Sequence, residues 1–152
     1  MIRALLRGSL VSLALVAPAA AQSDTPEQAA IRGALTQWMT DFNAGRADEV
    51  CALFAPDLIA QYRGQPDRSY EALCDLLKRS LGERNKSYRY ALAIKEIVVA
   101  GDLAVVRLTW TLAVRGKDPP SETVADEPGI DIFRRQADGS WKISRFLAYE
   151  SP

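Results

Sequence analysis

A change of hydrophobic period near residue 88 constrains this chain more than any other feature. Up to Gly82 the apolar residues recur every three to four positions, and from Tyr88 onward they alternate or run together. A period of 3.6 belongs to helices with one buried face, and a period of two to strands. The order of elements is therefore helices first, then a sheet, which defines an α+β domain whose sheet packs on its helices.

The helical half divides in three. Thr25, Pro26, Glu27 and Gln28 supply an N-cap, a proline in the first turn and a Gln able to close a capping box. Ile31, Ala34, Leu35, Trp38, Met39 and Phe42 follow at helical spacing, and "NAG" at 43–45 ends a helix of about 18 residues. A second, shorter helix is expected over "ADEVCALF", with Val50, Leu53 and Phe54 inward and Pro56 stopping it. After a short strand, "LIAQYR" at 58–63, a third helix starts near Ser69 and runs through Leu73, Leu76, Leu77 and Leu81 to Gly82. The strand half begins with a hairpin, 88–99 and 103–114, turning at "AGD". A loop, "GKDPPSE" at 116–122, leads to a strand interrupted by Pro128 and Gly129 that carries "IDIFRR". "ADG" then turns the chain into a closing strand, "WKISRFLAYE".

Ahead of the domain, Arg3 and Arg7 precede an apolar stretch from Leu10 to Val16, too short to cross a bilayer, and Ala19 and Ala21 form a small-residue cleavage site. This is the pattern of a secretory signal peptide over residues 1–21, which places the mature domain, 22–152, in the periplasm or outside the cell. Gln22 rather than Cys follows the cut, so no lipid anchor is signalled. Losing Arg3 and Arg7 leaves 17 basic residues against 19 acidic, a net charge of −2 that favours neither nucleic acid nor a membrane surface as partner. The chain contains no histidine, which excludes Ser-His and Cys-His catalytic units and His-ligated metals. No phosphate loop, metal-spacing motif or nucleophile elbow appears, and no cofactor is expected. In an oxidising compartment Cys51 and Cys74 are expected to form a disulfide worth roughly 3 kcal/mol, the alternative being two buried thiols acting as small hydrophobes.

One acid is out of place. Asp131 in "GIDIFRR" sits between Ile130 and Ile132 and shares a strand face with Phe133. A carboxyl buried among apolar groups stays protonated and can donate a hydrogen bond to a ligand carbonyl, unless Arg107, Arg145 or the indole of Trp38 already satisfies it. Tyr88 and Tyr90 share a face of one strand and Trp110 lies on the next, as pocket lining or as plain core. Glu122, Asp126 and Glu127 read as a solvated loop.

Taken together, the first helix ending in "NAG" and the segments "CALFAPD", "GDLAVV", "IDIF" and "DGSWKI" resemble the nuclear transport factor 2-like superfamily, and within it the SnoaL-like group that includes ketosteroid isomerase. The resemblance spans about residues 27–150. It implies three helices packed on a strongly curved, mostly antiparallel sheet that forms a cone with an internal pocket, and a homodimer through the sheet face. Ketosteroid isomerase moves a proton with an Asp base and holds the developing oxyanion with a Tyr and a protonated Asp. On this chain the Tyr position falls on Trp38 and the base position on Tyr62, with Gln61 beside it; only Asp131 matches, as the oxyanion-hole acid. The resemblance thus implies a ligand site drawn from Trp38, Tyr62, Tyr88, Tyr90, Trp110, Asp131 and Phe133. It would take a small, largely apolar or carbonyl-containing molecule, with no catalysis assigned. Two alternatives remain: an isomerase or lyase using Asp131 as neutral acid with Tyr62 as partner, and a dimeric interaction module with a vestigial pocket.

Overall fold

The computed structural model describes residues 23–149; the signal-peptide assignment lies outside them. Its first element, α1 (Pro26–Asn43), starts as the sequence dictates, with Thr25 Oγ1 accepting from the Gln28 N–H and the Gln28 side chain accepting from the Thr25 N–H. Ile31, Leu35, Trp38 and Phe42 form its buried stripe. Two side chains of α1 then strap it across β3 (Lys86–Ala100). Gln28 Nε2 donates to the Ile97 carbonyl at 2.9 Å, and near the other end Asn43 both donates to the Tyr90 carbonyl and accepts from its N–H, each at 2.8 Å. The Asn of "NAG" is therefore a docking group as well as a helix terminator.

The expected second helix is absent; the described residues carry two helices, not three. Residues 47–53 form consecutive tight turns, in which Glu49 N donates to Arg46 O, Ala52 N to Glu49 O and Phe54 N to Cys51 O. In a helix the Val50 carbonyl would accept from Phe54. Here it is taken instead by Trp38 Nε1 at 2.8 Å, and Val50, Leu53 and Phe54 still turn inward. Phe54 opens β1 (Phe54–Tyr62), which begins earlier than its sequence signal; β2 (Arg68–Ser69) is two residues long. Ser69 caps α2 (Tyr70–Gly82), whose Leu73, Cys74 and Leu77 are buried. Cys74 is bonded to Cys51 with 5.6 Å between the Cα atoms, so the bridge ties the turn segment to α2 rather than helix to helix.

The remaining strands are β4 (Leu103–Lys117), β5 (Pro120–Arg135) and β6 (Trp141–Ala148). One six-stranded sheet results, in the order β2-β1-β6-β5-β4-β3, antiparallel except for the β1–β6 pair. Two expectations fail along β5. Residues 116–122 are not a loop, because β4 and β5 pair as far as Lys117 opposite Pro120. Nor do Pro128 and Gly129 interrupt the strand: their neighbours remain paired on both sides, and the Pro128 carbonyl accepts from Tyr149 N. Gly129 is where β6 approaches most closely, since a Cβ there would lie 2.7 Å from the Leu147 carbonyl oxygen. Glycine in a strand often marks such an approach.

The two exposures of glycine give opposite expectations. Gly129→Ala forces a backbone shift and is expected to lower stability by about 1–3 kcal/mol. Gly33→Ala, in open space on α1, should raise it by about 0.5–1 kcal/mol. Urea denaturation of both variants measures the contrast.

Candidate functional site

Between the helices and the inner face of the sheet lies an apolar cavity of about 50 Å³. That is room for roughly three to five waters, at 10–15 Å³ each by the same measure. Its walls come from both helices and five strands: Trp38 of α1, Leu73 and Leu77 of α2, Tyr62 of β1, Tyr90 of β3, Leu108 and Trp110 of β4, and Phe146 of β6, among others. Strand β5 contributes Glu127, Gly129 and Asp131, one face of a continuous strand at two-residue spacing.

Asp131 is 5% exposed, and its Oδ2 has no hydrogen-bond partner. Its cross-strand neighbours are Val106 and Phe146, neither able to donate from its side chain. With nothing to stabilise the charged form, burial pushes the carboxyl pKa up from the ordinary 3.8 to about 7. None of the three groups expected as its partner satisfies it. The Trp38 indole N–H is spent on Val50; Arg107 pairs with Glu96 at 3.5 Å, both largely exposed; Arg145 Nη1 donates to the carbonyl of Asp57 at 2.8 Å.

The aromatic wall is a connected cluster. The Trp38 ring lies 5.0 Å from Trp110, 5.4 Å from Tyr90 and 5.4 Å from Phe42, while Tyr90 and Trp110 are 5.6 Å apart. Across the cavity Tyr62 meets Phe146 edge-on at 5.2 Å. Of the seven residues expected to line a pocket, Trp38, Tyr62, Tyr90, Trp110 and Asp131 come together here, and Tyr88 and Phe133 do not. Tyr88 shares a face with Tyr90, but Asn43 fixes the end of α1 at Tyr90, so Tyr88 falls beyond it. Its hydroxyl donates to the Glu83 carboxylate at 2.7 Å, and burial together with that carboxylate raises its pKa. Phe133 is wholly buried in the core, past a register shift between β5 and β6.

Glu127 is the residue that sequence reasoning misplaced. It is 7% exposed, lines the cavity and is engaged with its surroundings rather than solvated. The reading of Pro128-Gly129 as a break hid it; counting back from Asp131 in steps of two would have found it. Glu122 and Asp126 do face water, though from a strand, pairing with Arg115 and accepting from Thr111 Oγ1.

The SnoaL-like domain profile matches residues 35–145, most of the chain. The protein belongs to the SnoaL-like domain family. Among solved structures, this SnoaL-like domain is similar to a ketosteroid isomerase-like protein from Erwinia carotovora atroseptica. The two share 25% identity and a TM-score of 0.71 over 85% of this chain and 100% of that one. A conserved protein from Planctomyces limnophilus shares the fold at 18% identity, with a TM-score of 0.73 over 83% and 97% of the two chains. So does a scytalone dehydratase-like protein from Novosphingobium aromaticivorans, at 20% identity and TM-score 0.68 over 83% and 85%. A search of curated proteins finds no match.

The raised carboxyl makes a stability prediction with a definite sign. Below the unfolded value near 3.8 both states hold the proton; as pH rises the unfolded chain releases it first, so stability falls until pH passes the folded value of about 7. The difference reaches roughly 4 kcal/mol at 1.36 kcal/mol per unit. Asp131→Asn should therefore differ little from the native protein at pH 4 and exceed it in stability at pH 8, as measured by denaturation across that range.

Proposed function

We propose that this SnoaL-like domain binds a small, largely apolar molecule carrying one polar group, held inside a cone made by the curved sheet and its two helices. The observation that carries this is the unpartnered Asp131 oxygen facing a cavity otherwise walled by aromatic and aliphatic side chains. A buried polar atom without a partner costs about 1–3 kcal/mol, which a ligand that pairs with it recovers on binding. Pockets of this composition, apolar with a few converging polar groups, are the usual form of small-molecule sites. The Cys51–Cys74 bridge suits an oxidising setting, and no described helix is long and apolar enough to cross a membrane. Both fit a role in the periplasm or outside the cell.

Thermal-shift screening of a small-molecule library should yield stabilising hits that are small and mostly apolar. Ala148→Leu, which fills the cavity from β6, should abolish them while leaving the fold intact. A screen without hits, or hits unaffected by the filling, would contradict the proposal.

The outer sheet face supports a second copy of the chain as partner. Val98, Val105 and Ile130 are 53%, 44% and 42% exposed there, and Val98 and Val105 are paired neighbours on β3 and β4. Such a β-branched patch is suited to packing against its own copy. Light scattering should give twice the chain mass for the native protein and the single-chain mass for Val105→Glu; a native monomer at high micromolar concentration would refute the dimer.

A further inference from the structure

The small-molecule reading above leaves the ligand's polar group open, and this inference rests on that reading. Two acids, Glu127 and Asp131, stand four residues apart on the inward face of β5 with only Gly129 between them on that face. Among the described residues no lysine or arginine lines the cavity, and the chain has no histidine. An anionic ligand would meet the unpartnered oxygen of Asp131 with no lysine or arginine in the lining around it. Six of the fifteen lining residues are aromatic, among them the contacting Trp38, Tyr90 and Trp110. Aromatic faces attract cations, most strongly where water is excluded.

We infer that the ligand is a small protonated amine on an apolar body, its N–H donating to the unpartnered Oδ2 of Asp131 within the aromatic walls of the cavity. A neutral carbonyl compound would need Asp131 to hold its proton and would gain one neutral hydrogen bond. An ammonium group pairs with the carboxylate form, offsets part of the cost of burying that charge, and makes a charge-assisted bond roughly twice as strong. An N–H is required, because a quaternary ammonium would leave Oδ2 without a donor. The volume limits the body to a few carbon atoms unless side chains move.

Isopropylamine and acetone are suitable probes, having the same number of heavy atoms and nearly the same shape. Each is titrated into the full folded protein at pH 8 while the amide resonances of Gly129, Asp131 and Phe146 are followed by NMR. Saturable shifts with isopropylamine, at least tenfold tighter than with acetone, are expected. Asp131→Asn, whose amide spectrum also reports whether the fold is intact, should lose that preference. Acetone binding as tightly as the amine would overturn the amine inference and leave small-molecule binding standing. Failure of both probes to bind would overturn both, and an amine preference that survives Asp131→Asn would overturn the role of Asp131.

Discussion

The bond from the Trp38 indole N–H to the Val50 carbonyl organises both the fold and the site. Trp38 thereby anchors the segment 47–53, a series of turns that deliver Phe54 straight into β1, to the first helix. The same bond fixes the indole where it meets Trp110, Tyr90 and Phe54, so the inner aromatic cluster has one orientation. It also engages one of the three side-chain donors that sequence reasoning offered to Asp131. The disulfide supports this arrangement from the other side, holding the turn segment against α2.

Asp131 is the consequence. Among the described residues two buried side-chain polar atoms lack a hydrogen-bond partner, Arg135 Nε and Asp131 Oδ2, and the carboxyl oxygen belongs to a residue that lines the cavity. The energetic asymmetry is the familiar one: an unpaired buried polar atom is costly, while a ligand that supplies the partner recovers that cost and adds a bond made in low dielectric. Around the cavity the distribution of charge fits the same picture: Arg107 and Arg145 lie on the outer side and are paired there, while the charged residues that line the cavity are acids.

Much of the fold was legible because its signals are local. The capping box, the 18-residue helix, the Ser69 cap and the hairpin glycines all follow from nearest-neighbour chemistry. The missing helix was not legible, since a run of turns buries Val50, Leu53 and Phe54 just as a helix would, and the indole that anchors the segment comes from twelve residues away, outside any window over 47–54. Pro128-Gly129 misled for a related reason. Read locally it is a turn; in the sheet, the glycine is needed because β6 passes close by, and that is a tertiary fact. The site divides in the same way. Strand alternation puts Asp131 on the face that borders the cavity, while the positions of Tyr88 and Glu127 depended on where α1 ends over β3 and on whether β5 runs unbroken.

The claim on which the rest hangs is that Asp131 is a buried carboxyl without a partner, bordering a cavity. A carbon-13 NMR titration of its side-chain carboxyl, assigned by comparison with Asp131→Asn, reads this directly. The account predicts a midpoint near pH 7. A midpoint at the ordinary carboxylate value, near 4, would mean that the group is solvated or already paired, and would contradict it.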